Sequence, residues 1–184
     1  MEQFELLIPF VGIIYALSAT DLLVSAHRII IERKHVKVDI VPILWAVIAF
    51  LFMINAWWQF FEVNANIELK NAGQLFILSL LPMTVFMISA FSLPHTIKSN
   101  LSMWDYYDCN KYPLFLSHIA YLVVIPLIMW TFTDMINLEV IIRNLAFIAV
   151  FVSLMLIKNW AWHFVIALVF MVIILYSTFQ QTLG

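Results

Sequence analysis

The chain has 184 residues, 65% of them hydrophobic and only 11% charged, with a mean hydropathy of +1.01. That balance leaves too little charge to cover a water-soluble surface and places the chain in lipid. A net charge of -2 without any long Lys/Arg run excludes a nucleic-acid footprint. The single cysteine, Cys109, excludes an intrachain disulfide framework and a thiolate metal site.

A hydrocarbon core about 30 Å thick needs roughly 20 apolar residues in helical form. Segments 5–31, 41–63, 72–94, 113–134, 139–157 and 160–180 meet that length. The expected fold is therefore all-α: a polytopic integral membrane protein, residues 1–184 forming one transmembrane domain of six helices. The first segment follows acidic Glu2 and Glu5 and is too long for an h-region, so it reads as a span rather than a cleavable signal. None of the runs alternates in the manner of barrel strands. Between the last two spans, Lys158–Asn159 is the tightest joint, and pattern alone leaves one long bent helix open.

The longest connection, 95–112, mixes Leu101, Met103, Trp104, Tyr106 and Tyr107 with charged and amide residues. It reads as a cytoplasmic loop with a short interfacial segment. It also divides the chain into three spans plus three, which admits an inverted repeat. The best internal match, LWAVIAF at 44–50 with HFVIALVF at 163–170, shares only a generic apolar character.

Orientation follows from the basic residues. Arg28, Arg33, Lys34, Lys37, Lys98, Lys111 and Lys158 flank the odd-numbered loops, while Lys70 and Arg143 lie opposite. The rule that cytoplasmic loops are basic puts both termini outside, in a plasma (inner) membrane. Trp57, Trp58 and Trp130 near the outer ends, and Trp45, Trp160 and Trp162 near the inner ends, read as interfacial belts.

Polar residues inside the spans supply the candidate sites. Ser18, Asp21, Ser25, Arg28 and Glu32 are spaced three or four apart and form one helical stripe. A carboxylate at the depth of Asp21 costs a few kcal/mol or more, so it calls for a partner or a role in moving charge. Two turns separate Asp21 from Arg28, about 10.5 Å along the axis, so Ser25 or another span must bridge them. Gly12, Ala16 and Thr20 make a neighbouring small-residue stripe suited to close helix packing. On span two, Asn55, Gln59 and Glu62 form a second polar stripe toward the outer end. It reads as a vestibule lining or as hydrogen bonding to neighbours. Glu139 and Arg143 are spaced as an i, i+4 ion pair.

His27, His95, His118 and His163 fall near the inner ends of four spans, and His35 in a loop. Four imidazoles at one level read as ordinary interfacial or hydrogen-bonded histidines, as proton handling, or as a metal or haem site. No pair has i, i+4 spacing and no HExxH motif is present, so no cofactor is expected from motifs. Pro42 and Pro113 read as first-turn prolines, Pro94 as the close of span three, and Pro82 and Pro126 as interior kinks.

These features support three readings. The first is a small channel or transporter of protons or small ions built around Asp21, working as a homo-oligomer. The second is a non-catalytic subunit or scaffold that binds a membrane-protein partner through its polar faces. The third is a histidine-dependent redox or lipid-modifying enzyme.

Overall fold

The computed structural model describes residues 2–64, 69–97, 100–133 and 138–183. It contains six helices: α1 Glu2–Ile31, α2 Ile40–Asn64, α3 Ala72–Ser92, α4 Met103–Thr133, α5 Leu138–Leu156 and α6 Trp160–Leu183. All six are long and apolar enough to cross a membrane. A pair of two-residue strands, β1 Val36–Lys37 and β2 Leu101–Ser102, joins the first and third loops in parallel.

Local chemistry explains most helix starts. Asp39 accepts a hydrogen bond from the Val41 amide, with Pro42 in the first turn of α2. Asn71 caps α3 by accepting from the Gln74 amide, and the Gln74 side chain reaches back to the Lys70 amide. Asn159 accepts from the Ala161 and Trp162 amides. This cap makes the last two spans separate helices and excludes the single bent helix. Leu93, in extended conformation, and Pro94 end α3.

The fourth span differs from expectation. It begins at Met103, ten residues before Pro113, and that proline lies inside the helix rather than in its first turn. The supposed interfacial segment is the first part of α4, started by Ser102, whose hydroxyl accepts from the Asp105 amide. One buried stripe explains the continuity: Met103, Tyr107, Lys111, Leu114, His118 and Tyr121 recur at helical spacing through Pro113. Pro9 is a further interior proline, in α1.

Helices α2 and α3 lie centrally. α1 packs on α3 and α2, α4 on α3, α5 on α4, and α6 on α2. Lipid tails are as apolar as leucine, so close packing rather than the hydrophobic effect holds these contacts. Val11, Tyr15, Ser18, Leu22, Ser25 and Ile29 form the inward stripe of α1. The small-residue stripe does not pack as expected: Ala16 and Thr20 are exposed. A Cβ added at Gly12 would meet Trp57 at an ordinary 3.7 Å. Trp45 is likewise no belt residue, being 1% exposed and edge-on to Phe115 at 4.9 Å. Trp58, Trp130, Trp160 and Trp162 are exposed in keeping with belts.

Loops one, three and five share one end of the bundle. Beyond the strand pair, the Trp160 indole donates to Asp39 at 3.2 Å, and Lys158 lies 3.7 Å from Asp108. This is called the basic end below.

Candidate functional site

The stripe on α1 meets the segment that leaves α3. His95 Nδ1 lies 3.3 Å from an Asp21 carboxylate oxygen and 3.4 Å from the Ser25 hydroxyl. The Arg28 guanidinium donates to the His95 carbonyl. His95 Nε2 sits 3.0 Å from the Ala90 carbonyl; a carbonyl only accepts, so this nitrogen carries hydrogen. One residue thus bridges Asp21 and Arg28, which lie too far apart to pair directly. Ser18 turns back to the Ile14 carbonyl, and Glu32 is exposed. The second Asp21 oxygen is buried with no hydrogen-bond partner among the described residues.

The other histidines have separate surroundings. His27 is exposed on α1. His163 is fully buried, with Nε2 2.8 Å from the Ile157 carbonyl and Nδ1 2.7 Å from the Tyr107 hydroxyl. The carbonyl fixes hydrogen on Nε2, so Nδ1 accepts from Tyr107. His118 lies mid-helix in α4, deeper than a reading based on a span starting at 113 implied. Among the described residues no three His, Cys, Asp or Glu side chains are grouped to hold a metal ion.

Lys111, a loop charge by sequence pattern, is 1% exposed. Its ammonium lies 2.7 Å from Asp108, whose other oxygen faces exposed Lys158. With Tyr107 and His163, these groups form a polar cluster at the basic end. The i, i+3 spacing of Asp108 and Lys111 was the available signal, readable only once 103–112 is taken as helix.

On α2, Gln59 donates to Asn55, Asn55 to Thr178, and Thr178 to the Ile174 carbonyl. The chain ties α2 to α6, in line with the hydrogen-bonding account of that stripe. The side chain of Glu62 lies outside the described residues. Among the described residues no ion pair joins Glu139 to Arg143. Asn144, also missed, donates to the Leu122 carbonyl at 2.9 Å. Proline at 126 has no N–H for that carbonyl, so a side chain from α5 supplies the missing donor.

These arrangements frame a cleft. α6 packs on α2 and α5 on α4, and the two pairs meet through aromatic side chains, with Phe52 4.5 Å from Tyr121 and Phe151 5.1 Å from Phe170. Between them lies a cavity of about 410 Å³. Its deep end is aromatic, with Phe52, Phe151 and Phe170; Asn55, Gln59 and Arg143 also line it. His118 is at the deep end, with Phe151 4.9 Å and Phe52 5.8 Å from its ring centre. Its Nδ1 donates to the Leu114 carbonyl of its own helix. Nε2 is buried and without a hydrogen-bond partner among the described residues. With Nδ1 donating to its own helix, Nε2 of the resting ring is an acceptor.

Beyond His118 toward the basic end stand Trp45 and Phe115, and then the Tyr107–His163 pair. Polar groups therefore lie on both sides of a plug of packed rings. No family model matches the chain, and neither the curated proteins nor the solved structures contain a significant match.

Proposed function

We propose that this is a transporter-like membrane protein that moves protons or small ions through the cleft between the α2–α6 and α4–α5 pairs. The observation that carries the reading is His118, which lines a cavity with a polar mouth and whose buried Nε2 has no hydrogen-bond partner among the described residues. Buried polar atoms in membrane helices are costly and mark pathways or binding sites. Taking both termini outside, as the basic loops suggest, the mouth opens to the outer face. His118 then accepts a proton from the vestibule. The aromatic plug of Trp45, Phe115 and Phe151 separates it from Tyr107–His163 and the Lys111–Asp108 pair on the inner side.

In this reading Asp21 holds rather than conducts. It lies between α1 and the segment after α3 and already faces His95. Working membranes are expected to contain more than one copy, as a homo-oligomer in the inner membrane.

The test is dissipation of an imposed proton or monovalent-cation gradient in liposomes. Wild type and Asp21→Asn should both conduct, and His118→Phe should not. Absence of flux from folded wild type, or full flux in His118→Phe, would refute the proposal.

A further inference from the structure

We infer that the groove between α1 and α2 at the basic end binds one acyl chain of an anionic phospholipid, whose phosphate is taken by Arg33, Lys34 and Lys37. The site is separate from the cleft and does not rest on the transport reading.

The packing order creates the groove. α1 lies chiefly on α3, so α1 and α2, although joined by a short loop, leave a gap between them. That gap is a cavity of about 410 Å³ with an entirely apolar lining. Buried Leu22, Ile29, Ala46, Leu93 and Met103 form its floor, and exposed Leu23, Ile30 and Val47 its rim. From Leu22 to Ile30 it extends about 12 Å along α1. That is most of the ~15 Å of hydrocarbon in one leaflet.

The loop at the end of the groove supplies the charge. Residues 32–39 join the two walls, so they lie where the groove reaches the headgroups. Arg33, Lys34 and Lys37 are exposed there and make no ion pair among the described residues. Of the two acids in the loop, Asp39 already holds the Val41 amide and the Trp160 indole. Exposed Glu32 is left as the opposing charge. The backbone carrying these side chains is tied down: the His35 amide donates to the Glu32 carbonyl, and β1 pairs with β2. Exposed Ile31, Val38 and Ile40 are interleaved with the basic residues, a mixture suited to the boundary between acyl chains and headgroups. With Arg28, four basic residues fall within ten positions at the end of a span, a density that attracts anionic lipid.

The same features argue against a partner helix as the occupant. Close helix approach needs small residues along the contact, whereas the rim here is Leu23, Ile30 and Val47. A flexible chain can follow such a wall, and the cations at its end favour a headgroup of net negative charge.

The test is native mass spectrometry of the purified chain released from detergent micelles, with dioleoyl phosphatidylglycerol and dioleoyl phosphatidylcholine in competition. Both lipids carry a phosphate and the same chains, but only the first is anionic. Wild type should hold one phosphatidylglycerol at least about tenfold more tightly than phosphatidylcholine. Arg33→Gln, Lys34→Gln and Lys37→Gln together, all at exposed positions, should bring that preference to within about twofold. Ala26→Phe, which fills the groove, should remove the bound lipid with helix content unchanged by circular dichroism. Leu23→Trp, on the exposed rim, repeats the test should Ala26→Phe lose helix content.

No preference for phosphatidylglycerol in wild type would overturn the inference. So would a preference that survives the three glutamines, or a bound lipid that survives groove filling. Loss of a second copy of the chain on groove filling, with the lipid retained, would also overturn it and would identify the groove as a seam between subunits.

Discussion

Replacing Asn144 by leucine should destabilise the bundle by an amount that depends on residue 126. Asn144 donates to the Leu122 carbonyl from a neighbouring helix. Side-chain hydrogen bonds between membrane helices average about 0.6 kcal/mol and reach about 1.7, because the separated helices find other partners. Leu122 has little such recourse, since Pro126 cannot donate to it within α4. A buried carbonyl left unsatisfied costs about 1–3 kcal/mol. Together these figures put Asn144→Leu at about 1.5 kcal/mol in the native background. In Pro126→Ala the alanine amide can take the carbonyl, and the same substitution should then cost no more than about 0.5 kcal/mol. The expected coupling is thus about 1 kcal/mol. Unfolding in mixed micelles by increasing mole fraction of dodecyl sulfate, followed by far-ultraviolet circular dichroism, measures all four variants. Equal costs of Asn144→Leu in the two backgrounds would refute the reasoning that the proline creates the need for the asparagine.

Asp21→Asn should lower stability by less than about 1 kcal/mol, since its partner His95 is half-exposed and screened; a larger loss in the same unfolding assay would mean the contact is more than a latch. Lys111→Met should cost about 1–3 kcal/mol, below the full cost of breaking a buried pair because Asp108 is partly exposed and keeps Lys158 nearby. Lys158→Ala should change stability by less than about 1 kcal/mol, and a reversed order would contradict the burial of Lys111. With Cys109→Ser as background, Val36→Cys and Leu101→Cys together should form a disulfide on mild oxidation, because these residues face each other across β1 and β2. Failure to cross-link would dissolve the strand pair that joins the first and third loops.

The six helices were readable because twenty apolar residues in a row have few other options. The start of α4 was not. Pro113 looks like a first-turn residue, and Asp105, Asp108 and Lys111 give 103–112 the composition of a loop. Their place on a helix becomes visible only when Tyr107 and Lys111 are seen to continue the buried stripe of Leu114 and His118. For Asp21, the need for a partner was legible and the partner was not. His95 is seventy-four residues away in sequence, and the parallel packing of α1 on α3 brings it close. The cleft was the least legible feature. Asn55, Gln59, His118 and Arg143 were each noticed, but as parts of different patterns. They share one wall only because α6 packs on α2 and α5 on α4, and no local pattern encodes which helices are neighbours. Asn144 carried a signal in retrospect, as a lone amide in the apolar run of α5, but its meaning depends on Pro126 in another helix.

The most direct test of the cleft as the route uses Ser177, which lines its wall on α6. In a Cys109→Ser background, Ser177→Cys protein is reconstituted into liposomes, and gradient dissipation is recorded before and after treatment with a bulky methanethiosulfonate reagent. Conduction before treatment and its loss afterwards, with the Cys109→Ser parent unaffected, is the predicted result. Confirmed modification of the new cysteine with flux unchanged would contradict the account, because ions would then cross the membrane elsewhere.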